Sequence, residues 1–199
     1  EDGIDFAPMV PMQVETTLAN PETRSRFARI KQVIIGGAAV SPTLEQHLQE
    51  LPTRCYGTYG MTETVSHIAL REINGERKSP AYFALGKVSF SMDKRGCLII
   101  NPPHLQQQRF ITNDIVRLVD TTHFEWLGRH DNVINSGGVK LFPESIEARI
   151  ASFLSQRFFI TAEDDSRLGQ KAVLVIESLP WDEAKCLQLL SRLKSCLSP

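Results

Sequence analysis

The chain has no paired cysteines, no long apolar run and no marked excess of either charge, and each absence removes a class of protein. Its four cysteines (Cys55, Cys97, Cys186 and Cys196) are scattered over 199 residues without a C-x-x-C pair. That argues against a disulfide framework or a zinc knuckle and points to a reducing, cytoplasmic compartment. No segment approaches the roughly 20 consecutive apolar residues that cross a bilayer, so no membrane span is expected. A net charge of -1 lacks the clustered positive field that non-specific nucleic-acid binding needs. Arg24, Arg26, Arg29 and Lys31 form one local basic run, read as the solvated face of a helix before a strand. Neither G-x-x-x-x-G-K-S/T nor G-x-G-x-x-G occurs, so a Walker-type phosphate grip is absent and an NAD-type dehydrogenase would lack its fingerprint. His47, His104, His123 and His130 have no partners at metal-ligand spacing. Glu1-Asp2-Gly3 has neither an initiator methionine nor the pattern of a signal peptide, and the chain reads as a fragment of something longer.

What is present is ordinary globular composition, 42% hydrophobic and 23% charged, enough for a medium domain and a small one. Val33-Ile34-Ile35 reads as a buried strand that ends in Gly36-Gly37-Ala38. Ser41 and Pro42 then supply an N-cap and a first-turn proline for a helix carrying Leu44, Leu48 and Leu51. This is a β-turn-α unit, with glycines where open α/β sheets place ligands. Gly57 to Glu63 reads as a glycine-rich loop. Strands are expected at Cys97–Ile100, Ile115–Val119 and Phe124–Leu127, the last two joined by a hairpin connection. Beyond the polar break at Gly128 to Asn132, Pro143 opens a helix with Ile146, Ile150, Phe153 and Leu154 on one face. Phe158–Thr161 and Ala172–Ile176 are strand-like around a loop at Glu163 to Gly169. A final helix carries Cys186, Leu190, Leu193 and Leu197. The fold class is α/β, with a second, small α+β domain across a hinge near Asp131 and expected domains at 1–130 and 131–199.

Several clusters are candidates for chemistry, each with a plainer alternative. Gly36-Gly37-Ala38 either admits a flat ligand close to the backbone or is merely a tight turn. Tyr59-Gly60-Met61-Thr62-Glu63 offers a stacking ring, a hydroxyl and a carboxylate, a set that suits a nucleotide with its Mg²⁺; the same residues also suit a helix start. Asp114, just before a strand, is a ribose acceptor or a turn aspartate. Arg129 and Asp131 are a hinge pair or a surface ion pair. His67, just beyond the Tyr59–Glu63 segment, is placed to face a bound acid.

In this order the segments resemble the adenylate-forming superfamily of acyl-CoA ligases, adenylation domains and luciferases. Tyr59-Gly60-Met61-Thr62-Glu63 is similar to the Y-G-x-T-E motif. Ile111-Thr112-Asn113-Asp114 is similar to T-G-D, with Asn113 in place of glycine. Gly128-Arg129-His130-Asp131 resembles the G-R-x-D hinge, and Ser136-Gly137-Gly138 with Pro143 to Glu147 matches the segment after it. The resemblance implies an ATP-dependent ligase that forms an acyl-adenylate and then a thioester with coenzyme A. It implies that Tyr59, Gly36, Gly37 and Ala38 hold adenine and that Thr62 and Glu63 are catalytic, Glu63 on Mg²⁺. Asp114 and Arg129 would bind ribose, Asp131 would pivot, and Gly137, Gly138 and Lys140 would line the coenzyme A entrance with His67 on the acid. The family's phosphate-gripping lysine loop and its carboxyl-terminal lysine have no counterparts here, so the fragment itself is expected to be inactive. The motif neighbourhoods look most like o-succinylbenzoate–CoA ligases of menaquinone biosynthesis. Fatty or aryl acyl-CoA ligases, carrier-coupled adenylation domains and a nucleotide-binding module without catalysis stand as alternatives.

Overall fold

The computed structural model describes residues 3–103 and 109–197; His104, Gln106-Gln107-Gln108 and the carboxyl-terminal Ser198-Pro199 lie outside the described residues. The chain divides by compactness into one unit of Glu1–Thr112 with Val116–Trp126 and a second of Asn113–Ile115 with Leu127–Pro199.

In the first unit, β1 (Phe6–Met9), β2 (Gln32–Ile35) and β3 (Arg54–Gly60) run parallel, Ala7 opposite Val33 and Val33 opposite Cys55. Parallel neighbours need crossovers, supplied by α1 (Pro11–Ala19), α2 (Pro21–Phe27) and α3 (Pro42–Gln49). All three open on proline, whose fixed φ suits the first helical turn. Ser41 caps α3 as expected, its hydroxyl accepting from Leu44 N–H at 3.2 Å. The inner faces of these helices bury Val14, Leu18, Phe27, Leu44 and Leu48 against Val33, Ile35, Cys55 and Ile73.

From β3 onward the sheet becomes antiparallel. β4 (His67–Glu72) folds back on β3 and is followed by β5 (Ala81–Ala84), β6 (Ser89–Met92), β7 (Cys97–Asn101), β8 (Phe110–Leu118) and β9 (His123–Arg129). The nine strands lie in the order β1-β2-β3-β4-β5-β9-β8-β7-β6. Ile68, Phe90, Leu98, Ile100, Val116 and Phe124 form a second core there.

In the second unit, β10 (Ile134–Ser136), β11 (Val139–Leu141), β12 (Phe158–Asp165) and β13 (Gly169–Ile176) form a sheet in the order β11-β10-β13-β12. With them go α4 (Pro143–Ile150) and α5 (Glu183–Leu197). Ile150, Leu154 and Leu193 are its buried centre.

Some sequence expectations need correction. Gly57 to Gly60 is strand rather than loop: it continues β3 paired with β4, and at Gly60 the backbone of β4 leaves no room for a side chain. Asp114 lies inside β8 rather than before a strand. α4 stops at Ile150, and Ala151–Phe153 continue as a single 3-10 turn. β12 and β13 extend through Asp165 and from Gly169 because Glu163 stands opposite Lys171, 3.1 Å apart, so polar residues pair well across that hairpin. On α5 the inward stripe is Leu189, Leu193 and Leu197; Leu190 is 51% exposed and Cys186 is exposed.

Candidate functional site

The carboxyl ends of β1, β2 and β3 meet at an open depression of about 270 Å³. It is lined by Pro8, Met9, Val10, Gln13, Ile34, Gly36, Gly37, Thr58 and His67. Gly36 leaves room for the Thr58 hydroxyl: a Cβ at that position would stand 2.2 Å from Thr58 Oγ1, so a larger residue would have to turn that side chain away. Gly37 follows in a left-handed conformation, φ 81°. Ala38 is exposed and is not among the lining residues. His67, at the start of β4, also lines the depression, its Nδ1 3.2 Å from Ser66 Oγ.

Alternation along β3 sorts the motif residues. Cys55, Gly57 and Tyr59 face the cores, whereas Thr58 and Gly60 face the other way. Tyr59 is partly buried in an aromatic group, 5.0 Å from the Phe124 ring centroid and 5.8 Å from that of Tyr82. A bulge interrupts the β3–β4 pairing at Tyr59/Gly60, and a Cβ on Gly60 would lie 2.6 Å from both His67 Cα and Ser66 O. The next residues form the 3-10 turn Thr62–Thr64, which holds Thr62 and Glu63 out in solvent. They stand beside the depression's strand without lining it.

Sequence reasoning missed what holds this turn. Thr64 is 2% exposed. Its hydroxyl accepts from Met61 N–H at 3.0 Å and directs its proton to Ser66 O (2.8 Å) or Met61 O (2.9 Å). One buried hydroxyl thus ties both ends of the turn together. Val65 then takes φ 67°, a left-handed conformation unusual for a β-branched side chain, and is 80% exposed. Strain of this kind persists only where surrounding bonds over-determine it. The available signal was the threonine directly after Thr62-Glu63, which a glycine-and-motif reading passes over.

A second grouping lies in the second unit. Arg129 stands between two carboxylates, Nη1 3.5 Å from Asp114 Oδ1 and Nη2 3.4 Å from Asp131 Oδ2. Asp114 is 13% exposed and Asp131 57%, so the inner carboxylate is the better screened from water. Past it, Ser136 and Val139 flank a two-residue hairpin of Gly137 (φ 57°) and Gly138 (φ 84°). Both central residues need positive φ in such a turn, which explains the glycine pair. Lys140 sits on β11 opposite Asn135, exposed.

No group of three His, Cys, Asp or Glu capable of caging a metal occurs among the described residues. Glu63 is a single exposed carboxylate, a donor that fits Mg²⁺ shared with phosphate oxygens rather than an all-protein cage.

The AMP-binding enzyme family model matches residues 1–101, half of the chain. The chain belongs to the AMP-binding enzyme family. Among individual AMP-binding proteins, it is 26% identical over 196 residues to 2-succinylbenzoate–CoA ligase of Escherichia coli, a match covering 88% of this chain and 41% of that one. A solved acyl-CoA synthetase (AMP-forming)/AMP-acid ligase II-like protein from Dyadobacter fermentans is 40% identical, with a TM-score of 0.63, over 100% of this chain and 58% of that one. O-succinylbenzoate coenzyme A synthetase from Bacillus subtilis shares the fold, with a TM-score of 0.69 at 17% identity over 96% of this chain and 47% of that one. The chain spans less than half the length of the curated relatives it matches. Membership agrees with the resemblance carried by the motif segments, and the mixed α/β architecture is that of adenylate-forming enzymes. No described helix is long and apolar enough to cross a membrane.

Proposed function

We propose that the protein this chain belongs to is an AMP-forming acid–CoA ligase and that its acid is o-succinylbenzoate. The observation that carries the reading is the depression lined together by Gly36, Gly37, Thr58 and His67, next to the clamped Thr62–Thr64 turn that joins β3 to β4.

On this reading the acid's carboxylate attacks the α-phosphate of ATP, pyrophosphate leaves, and the thiol of coenzyme A then displaces AMP from the acyl-adenylate. The first step needs position and charge neutralisation more than covalent help from the protein. Thr62 donates its hydroxyl to the α-phosphate, where negative charge builds up. Mg²⁺, when bound, neutralises phosphate oxygens, and Glu63 is the carboxylate that holds it. Tyr59 presents its ring edge and face to adenine, with Gly36, Gly37 and Ala38 on the other side of the base. Asp114 accepts from the ribose hydroxyls, its charge kept oriented by Arg129. His67, beside an apolar wall of Val10 and Ile34, meets the acid. An acid with a second carboxylate would be complemented by a histidine there, which supports o-succinylbenzoate over a plain fatty acid. Asp131 is the pivot between the half-reactions, with 1–130 and 131–199 as the domains it joins. Gly137, Gly138 and Lys140 line the entrance for the pantetheine arm.

The test is thioester formation by the complete gene product with Mg-ATP and coenzyme A, against o-succinylbenzoate and a panel of fatty and aryl acids. Turnover of o-succinylbenzoate above the rest supports the reading. Preference for another acid removes the substrate assignment, and no AMP release with any acid removes the ligase.

A further inference from the structure

Asn113 occupies the place where the T-G-D pattern has glycine, and its side chain is not idle. Its Nδ2 lies 3.4 Å from Asp131 Oδ1 and 3.3 Å from Asp131 Oδ2, so the amide donates to the carboxylate. A glycine could make no such bond. Asp131 receives Arg129 on the same carboxylate at 3.4 Å, and that guanidinium also reaches Asp114 at 3.5 Å. Adjacent residues of β8 are therefore connected to the Gly128–Asn132 segment twice, Asn113 directly and Asp114 through Arg129. In keeping with this, Asn113–Ile115 group by compactness with the second unit rather than with the rest of β8. At the far end of the segment, Asn132 Nδ2 donates to Glu144 Oε1 at 2.6 Å, which fixes the next residue to α4. Asp131 thus sits between a bond to β8 and a neighbour bonded to α4.

We infer that Asn113 is a positioning residue that tethers the pivot: its amide holds the Asp131 carboxylate on β8, and this bond must break before the backbone at 131 turns. The functional part of the inference rests on the reading of Asp131 as a pivot; the tether itself does not. A hydrogen bond between partly exposed groups, one of them charged, shifts an equilibrium by about two- to tenfold, enough to bias the segment without locking it. Because the same carboxylate takes Arg129, and Arg129 takes Asp114, occupation of Asp114 by ribose would redistribute the guanidinium and change the load on the tether. Nucleotide binding and pivot release are in this way coupled through four side chains.

The experiment is hydrogen exchange on the complete gene product and its Asn113→Gly and Asn113→Asp variants. Val133 is the reporter, since its N–H closes the His130–Asn132 turn on His130 O at 3.3 Å; Val119, bonded to His123 O at 2.9 Å, is the reference. Asn113→Gly is expected to speed exchange at Val133 about two- to tenfold. Asn113→Asp keeps the shape, removes the donor and sets like charges together, so it should speed exchange further. Val119 should not change in either. Unaltered exchange at Val133 in both variants overturns the tether. The ratio of thioester formation to pyrophosphate exchange is then compared in the same proteins. A shift of about twofold or more supports the coupling, and an unchanged ratio beside faster exchange overturns it. Failure of the ligase reading would appear separately, as absence of pyrophosphate exchange in the unsubstituted protein, and would leave the exchange result standing.

Discussion

The Thr62–Thr64 turn and the Gly128–Asn132 segment both present polar residues to solvent, yet they are held in different ways. The turn is anchored from beneath by a buried hydroxyl with bonds of 2.8 to 3.0 Å, and Gly60 presses it against the backbone of β4. Toward β8 the segment is held by longer contacts of 3.3 to 3.5 Å among Asn113, Asp114, Arg129 and Asp131, only Asp114 of them well screened from water, and its one short bond runs from Asn132 to Glu144 on α4. Bonds that are buried and short resist local opening, whereas long solvated ones exchange easily with water. A group that must meet a phosphate oxygen in a fixed place gains from the first kind of support. A pivot requires the second.

The largest expected effect tests whether the anchored turn carries chemistry. Glu63→Gln in the complete gene product should slow pyrophosphate exchange about a hundredfold, because a neutral amide holds a cation poorly. Unchanged exchange would reduce the turn to a structural feature. Next, Gly60→Ala forces a methyl to within 2.6 Å of backbone on β4 and should cost about 2 kcal/mol in urea denaturation, with nucleotide affinity falling too. If stability held, the close approach would not be what sets the turn. Thr64→Val keeps the shape and removes the hydroxyl, and about 1–2 kcal/mol of stability should go with it. Thr64→Ser should recover most of that loss and of the Mg-ATP KM. Equal behaviour of the Val and Ser variants would mean that packing, not hydrogen bonding, holds the turn.

The smallest effect belongs to the second unit and to pH. Burial raises Glu147 above the ordinary carboxylate value of 4.5; the N–H of Ile160, donating at 2.6 Å, opposes this and the charge of Glu144 adds to it. The folded state therefore holds this proton more tightly than the unfolded state does. The associated stability is fully present below the unfolded pKa and is lost as pH rises through the folded one. Glu147→Gln keeps an acceptor for Ile160 without that dependence. Its stability relative to the parent should accordingly improve on going from pH 4 to pH 7, followed by the fluorescence of Trp181. A difference independent of pH would refute the assignment.

Much of the fold was legible in local signals. Ser41-Pro42 marked the start of α3, Val33 to Ile35 marked β2, and the order of the motif segments led to the family that the residue 1–101 match shows. The misreadings share a cause. Gly57 to Gly60 looked like loop because glycine lowers strand propensity, but that preference yields when strands pair on either side of β3 and, at Gly60, crowd the backbone. Leu190 looked buried because period alone does not say which of two adjacent leucines faces the core. Asp114 looked like a turn residue because nothing in its neighbours announced that β8 begins as early as Phe110.

The sequence by itself determined which chemical groups are available and in what order, since motif spacing and capping are local properties of the chain. Only the tertiary structure decided what those groups meet. Thr58 approaches Gly36, Thr64 clamps Met61 to Ser66, and Asn113 reaches Asp131 across 18 positions. The physical reason is that the Thr58–Gly36 and Asn113–Asp131 approaches depend on which strands become neighbours, which is chosen by burial of whole faces rather than by the residues that end up touching. The local Thr64 bonds depend instead on the bulged turn that brings Met61 and Ser66 within reach.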